Sequence, residues 1–265
     1  MFSGFMARTW LEATIMAAAA GTIGFFVVVR GSTFAAHAIP KGSFAGAAGA
    51  SLIGVNTLVG VGIFAFVGAA AIARWGRKGR EDVVTALVLV TLLGVGSLFL
   101  SMSTGYAEQV FALLFGEPLA VSPADLVPTA AIGALCVALI ATLYRPLLLS
   151  SVAPELAAAS ATRPQRVELG FLLAVGAVTT MALPVVGALL VFSLMIGPAA
   201  AARYVTNRPL AAIGLSGLLA VVTAWLAVGL SFESNWPVGF FIGALAAAWY
   251  VAGRALSTWR RAYTR

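Results

Sequence analysis

Charge is what this sequence has least of. Only 9% of its 265 residues are charged while 61% are hydrophobic, and the mean hydropathy is +1.02. A soluble domain carries roughly a quarter of charged residues to cover its surface, so that class is excluded. Histidine and cysteine occur once each, as His37 and Cys136. A single cysteine rules out an intramolecular disulfide and a thiolate metal cluster. Its apolar surroundings make Cys136 a small core residue. A single histidine rules out H-E-x-x-H zinc chemistry. No acidic residue occurs from 13 to 80. That removes paired-aspartate chemistry there, and with it the buried carboxylates that proton- or sodium-driven carriers use. No G-x-x-x-x-G-K-[ST] loop is present to hold nucleotide phosphates.

What is there is apolar sequence from end to end. Segments long enough for membrane crossing lie near 10–29, 36–54, 57–73, 84–103, 126–144, 168–183, 186–203, 210–231 and 236–256. They predict an all-α, polytopic membrane protein whose residues 1–265 form one transmembrane domain. The first segment reads as a span and not as a removable signal peptide, since further spans follow it. The pI near 10.3 does not point to nucleic acid, because the basic residues sit between spans, as in cytoplasmic membrane loops.

Counting Lys and Arg leaves two topologies. With nine spans, every one of the 16 basic residues except Arg8 falls on the cytoplasmic side. With eight, residues 36–73 form one broken span and only Arg30 and Lys41 fall outside. A straight helix over those residues would be about 57 Å long, nearly twice the hydrocarbon thickness of about 30 Å. A break is therefore expected at "GVNT" (54–57). Both topologies put 74–82, 145–166, 203–208 and the C-terminus in the cytoplasm, and 104–125 outside.

Several residues stand out against this background. His37 and Lys41 are one helical turn apart, so they share a face. Gly42, Gly46 and Gly49 give small residues at helical spacing, which permit close helix approach. Pro184, Gly197 and Pro198 are expected to break or bend helices. Glu12, near the start of the first segment, reads as interfacial. Glu108, Glu117 and Asp125 make 104–125 acidic, suited to cations, to a docking protein or simply to water. In 145–166, Pro146, Pro154 and Pro164 bracket "ELAAASA", a short helix former with Glu155 at its dipole-favoured start.

Four stretches, in order, resemble the permease subunits of bacterial ABC importers for zinc, manganese and iron, the ABC-3 family. They are "VVVRGSTFAAHAIPKGSFAG" (27–46), "LLFGEPLAVSPADL" (113–126), "APELAAASATRPQRVELGFLL" (153–173) and "PVVGALLVFSLMIGPAAAARYVT" (184–206). The resemblance implies a type II importer permease-like fold of eight or nine helices working as a dimer. The partner would be a second copy or a related permease. It further implies a cytoplasmic ATPase subunit that binds the ATP, an external solute-binding protein, no intrinsic cofactor, no enzymatic activity of the chain itself, and a bacterial inner-membrane location. Pro154, Glu155, Leu156 and Ala157 would be the coupling contact with the ATPase.

The resemblance also bears on His37. The family segment reads "GDALSHAVLPG" or close to it. Anchored on Arg30-Gly31, Thr33-Phe34 and Gly46, its Asp falls on His37 and its His on Lys41. Thr33, His37 and Lys41 then become candidate path residues, with His37 the one candidate metal ligand. A divalent ion about 6 Å from the lysine charge is opposed by about 5–6 kcal/mol at an effective dielectric of 20. Three readings stay open. Lys41 snorkels while His37 packs; the pair lines a path for a chelated or anionic species; or neutral His37 binds metal with Lys41 turned away. A permease for a non-metal substrate and a transport-inactive scaffold are the alternatives to a transition-metal permease.

Overall fold

The computed structural model describes residues 4–76, 79–103, 114–115, 126–159, 164–188 and 190–263. Secondary structure there is helical throughout. The helices are α1 (Gly4–Arg30), α2 (Thr33–Ile53), α3 (Thr57–Trp75), α4 (Glu81–Ser101) and α5 (Leu126–Val152). They continue with α6 (Pro154–Ala159), α7 (Pro164–Val186), α8 (Val191–Val205), α9 (Pro209–Ser234) and α10 (Val238–Tyr263). Most of the expected external stretch 104–125 lies outside the described residues.

Each of the nine apolar segments folds as a helix, but seven of those helices are long and apolar enough to cross a membrane: α1, α3, α4, α5, α7, α9 and α10. By length and composition alone the described residues hold seven candidate spans, so the eight or nine expected from apolar runs is not reached by that measure. Helix α8 is too short, and α2 is diluted by His37, Pro40, Lys41 and its glycines. Polarity does not put α2 at the surface. Ala36, Ile39, Gly42, Ser43 and Gly46 are buried.

The 36–73 stretch breaks where chain stiffness requires it. Gly54 takes the left-handed conformation (φ 72°) that ends α2, and the Asn56 side chain caps α3 by accepting from Leu58 N at 2.7 Å. The two arms then lie antiparallel: a Cβ on Gly46 would strike the Gly60 carbonyl. Residues 36–73 are a hairpin and not one broken span.

Neighbour contacts fix the direction of the other helices. Helix α9 runs antiparallel to α1, with Gly21 against Ser216 and Trp10 against Trp225. Helix α7 runs antiparallel to α3, with Gly62 against Thr180 and Gly176 against Ala65. Helix α8 runs parallel to α10, with Gly197 against Ala246 and Gly253 against Ala201. At one end Arg30 reaches Ser150 and Glu168, and Arg74 shares a cavity with Gln165 and Arg166. One end of the bundle therefore gathers Arg30, Arg74, Arg80, Arg166, Arg203, Arg208 and Arg260. Arg30 lies on the same side as Arg74, which the single-crossing alternative does not allow.

The core sits between α1, α7 and α8, where Phe25, Phe26, Phe171, Met181, Leu194 and Met195 are fully buried. Cys136 is buried beside them. Three expectations are corrected there. Residues 145–152 continue α5 through Pro146 and are not loop. Pro184 and Pro198 lie inside continuous helices, and the chain turns instead between α7 and α8, where Gly187 has φ 84°. Glu12 is not interfacial: it is buried and accepts from Thr129 Oγ1 at 3.0 Å.

Candidate translocation site

Helix α2 is built for close approach on two of its faces. A Cβ on Gly42 would lie 2.7 Å from Leu92 Cδ1, and one on Gly49 would lie 2.9 Å from Phe99 Cε2. These positions seat α4, while Gly46 and Ala50 seat α3. Bulk is excluded from both sides. Thr33, His37 and Lys41 occupy the remaining face, one turn apart and half-buried.

Thr33 is the first residue of α2, after a tight turn in which Gly31 has φ 71°. His37 meets Phe192 at the start of α8 edge-on, with ring centroids 4.7 Å apart at 77°. Pro40 lies between His37 and Lys41 and has no N–H, so the Ala36 carbonyl beside His37 loses its helical donor. Neither His37 nor Lys41 makes a hydrogen bond or ion pair among the described residues. No group of three or more His, Cys, Asp or Glu side chains converges there either. One imidazole and one hydroxyl are the donors this face offers a cation, and an ammonium stands one turn further along.

The family segment also fits this helix in a second register. If the His of "GDALSHAVLPG" falls on His37, the Ala and Gly that follow it fall on Ala38 and Gly42. Its Asp then falls on Thr33. The histidine is retained in that register, and the carboxylate is replaced by a hydroxyl.

The expected coupling residues form α6, with Pro154 at its start. Leu156 is 65% exposed while Ala157 is buried, so the helix is anchored on one side and presents Glu155 and Leu156 outward. Of the glycines and prolines singled out, Gly197 packs on Ala246 of α10, where a Cβ would come within 2.5 Å. Pro184 and Pro198 are within α7 and α8. None of these three lies on α2 with His37.

Sequence reasoning missed two features. Phe192 was hidden because the contact joins residues far apart in the chain. Arg30 served only the topology count and the family register, and its reach to Ser150 and Glu168 went unread. Its position in the last turn of α1, where a cation suits the helix dipole, was the available signal.

Residues 3–257 match the ABC 3 transport family. A manganese transport system membrane protein (MntC) of Halalkalibacterium halodurans is 30% identical, over 84% of this chain and 79% of its own. A manganese import system permease protein (ScaB) of Streptococcus parasanguinis is 25% identical, over 93% of this chain and 89% of its own. Among solved structures, PsaBC from Streptococcus pneumoniae in complex with Fab superposes with a TM-score of 0.83 at 23% identity, covering 94% of this chain and 91% of that one. An inward-facing putative metal-chelate type ABC transporter gives 0.74 at 15% identity, over 96% and 85%. The helices, their order and nearly the full length agree, and the chain belongs to the ABC 3 transport family.

Proposed function

We propose that this chain forms the translocation path of a bacterial ABC importer for a transition metal, with manganese as the cargo. The observation that carries the reading is α2, an interior helix too polar for lipid that holds Thr33, His37 and Lys41 on one half-buried face. The manganese assignment draws on the descriptions of the relatives MntC and ScaB. That face needs a second wall to shut out water, and a second copy or a related permease would supply it. The basic end is cytoplasmic by the positive-inside rule, so the chain would cross nine times, with its N-terminus outside in the inner membrane. A separate ATPase would grip α6 from the cytoplasm, and an external solute-binding protein would load the path.

Lys41 favours one second reading, in which the metal travels as an anionic chelate that an ammonium attracts. Reconstitution separates the two. The chain with its ATPase and binding protein should accumulate manganese only with ATP, and replacing residues 155–161 by a Gly/Ser segment should abolish accumulation. Full uptake with that replacement would remove α6 from the coupling role. Uptake of chelated metal alone would favour the second reading.

A further inference from the structure

We infer that Arg30 is a positioning residue that ties both flanks of the ATPase-facing segment to the path helix, which rests on the reading of α6 as the coupling element. Its guanidinium closes α1 and reaches two separate stretches of chain. One terminal nitrogen, Nη2, pairs with the Glu168 carboxylate. The other, Nη1, donates to Ser150 Oγ at 2.6 Å, and that hydroxyl donates to the Leu147 carbonyl at 3.0 Å. The guanidinium carbon stands 5.1 Å from the Phe171 ring centre.

The placement of these partners carries the inference. Ser150 lies in the last turn of α5, four residues before α6 starts at Pro154. Glu168 lies four residues after α7 starts at Pro164. The chain therefore enters and leaves the α6 segment through residues held by one side chain. On its other side Arg30 is joined by Gly31 and Ser32 to Thr33, the first path residue, with Ser32 N bonded to the Val27 carbonyl at 3.1 Å. A displacement of α6 loads Ser150 and Glu168, and the planar fork passes that load to the base of α2.

The chemistry suits transmission more than surface decoration. Side-chain exposure is 12% for Arg30 and 34% for Glu168, so the pair is partly shielded, unlike the exposed pairs that contribute little. A lysine has the charge but not the fixed fork that addresses two partners at once. Arg30 Nε is buried without a hydrogen-bond partner among the described residues. It is a donor still available for a rearranged pairing in a second state of the transporter, and such discrete alternatives are what carry coupling between sites.

The test uses the complete transporter with its ATPase in proteoliposomes, in a Cys136→Ala background, with Thr33→Cys as reporter. The rate of thiol labelling is compared between the nucleotide-free and the ATP–vanadate states. With Arg30 intact the two states should differ by at least about fivefold, the low end of measured couplings. In Arg30→Gln, and in Arg30→Lys, the two rates should converge while the ATPase still co-purifies and hydrolyses ATP. Glu168→Gln combined with Ser150→Ala should do the same by removing both partners, and this variant decides the matter if Arg30→Gln fails to assemble. An undiminished nucleotide effect in the assembled variants would overturn the inference. The labelling readout does not depend on the cargo. Absence of a nucleotide effect with Arg30 intact would count against α6 coupling itself, and so against both readings.

Discussion

The sharpest perturbation is Thr33→Asp, which places a carboxylate one turn before His37. Along α2 the new side chain is about 6 Å from His37 and about 12 Å from Lys41. An ion held between positions 33 and 37 is then about 9 Å from the ammonium. At an effective dielectric of 20 the lysine opposes it by about 4 kcal/mol, while a carboxylate about 3 Å away favours it by about 11 kcal/mol before desolvation is subtracted. Even with much of that offset, the ion should bind at least about tenfold more tightly, since each tenfold takes only about 1.4 kcal/mol. The alternative register is tested by His37→Asp with Lys41→His, which removes the repulsion of about 5–6 kcal/mol expected when the ion lies one turn from Lys41. Manganese binding by calorimetry on the purified permease, and uptake in proteoliposomes, read both variants. A gain in Thr33→Asp alone assigns the site to positions 33 and 37. A gain in the double variant alone assigns it to 37 and 41. No change in either would refute the placement of this face on the path.

Two further outcomes follow from the packing and the topology. Gly46→Val should destabilise the α2–α3 hairpin by about 1–3 kcal/mol, because its side chain has only the Gly60 carbonyl to move into. Thermal unfolding of the detergent-solubilised protein reads that loss, and an unchanged midpoint would contradict the close approach. In intact cells, a cysteine replacing Arg208 should be shielded from impermeant thiol reagents while one replacing Trp236 should label. The reverse pattern would invert the bundle.

Much of this fold was legible from apolar runs alone, since each run became a helix, although α5 runs eight residues past its expected end and α8 starts five residues late. The hairpin break at Gly54–Asn56 was legible because chain length over 36–73 forces it. Length and composition count seven candidate spans and leave out α2 and α8. Helix α2 is interior and is made of residues that approach other helices closely, so its polarity says nothing about whether it is buried. Prolines did not end helices at three places. Pro146, Pro184 and Pro198 sit within helices that continue through them, while Pro154, Pro164 and Pro209 mark starts. Glu12 looked interfacial because its partner, Thr129, lies 117 residues away. The same distance in sequence concealed the reach of Arg30 to Glu168 and of His37 to Phe192. In the candidate site, residue types and their one-turn spacing were readable.

The central claim, that the Thr33–His37–Lys41 face lines the path of a metal importer, is tested most directly by initial rates of ATP-dependent manganese uptake. The comparison is the unaltered transporter against His37→Ala and Lys41→Ala, at equal expression and equal association with the ATPase. A several-fold change in either variant is the expected result. Rates matching the unaltered transporter in both would contradict the account.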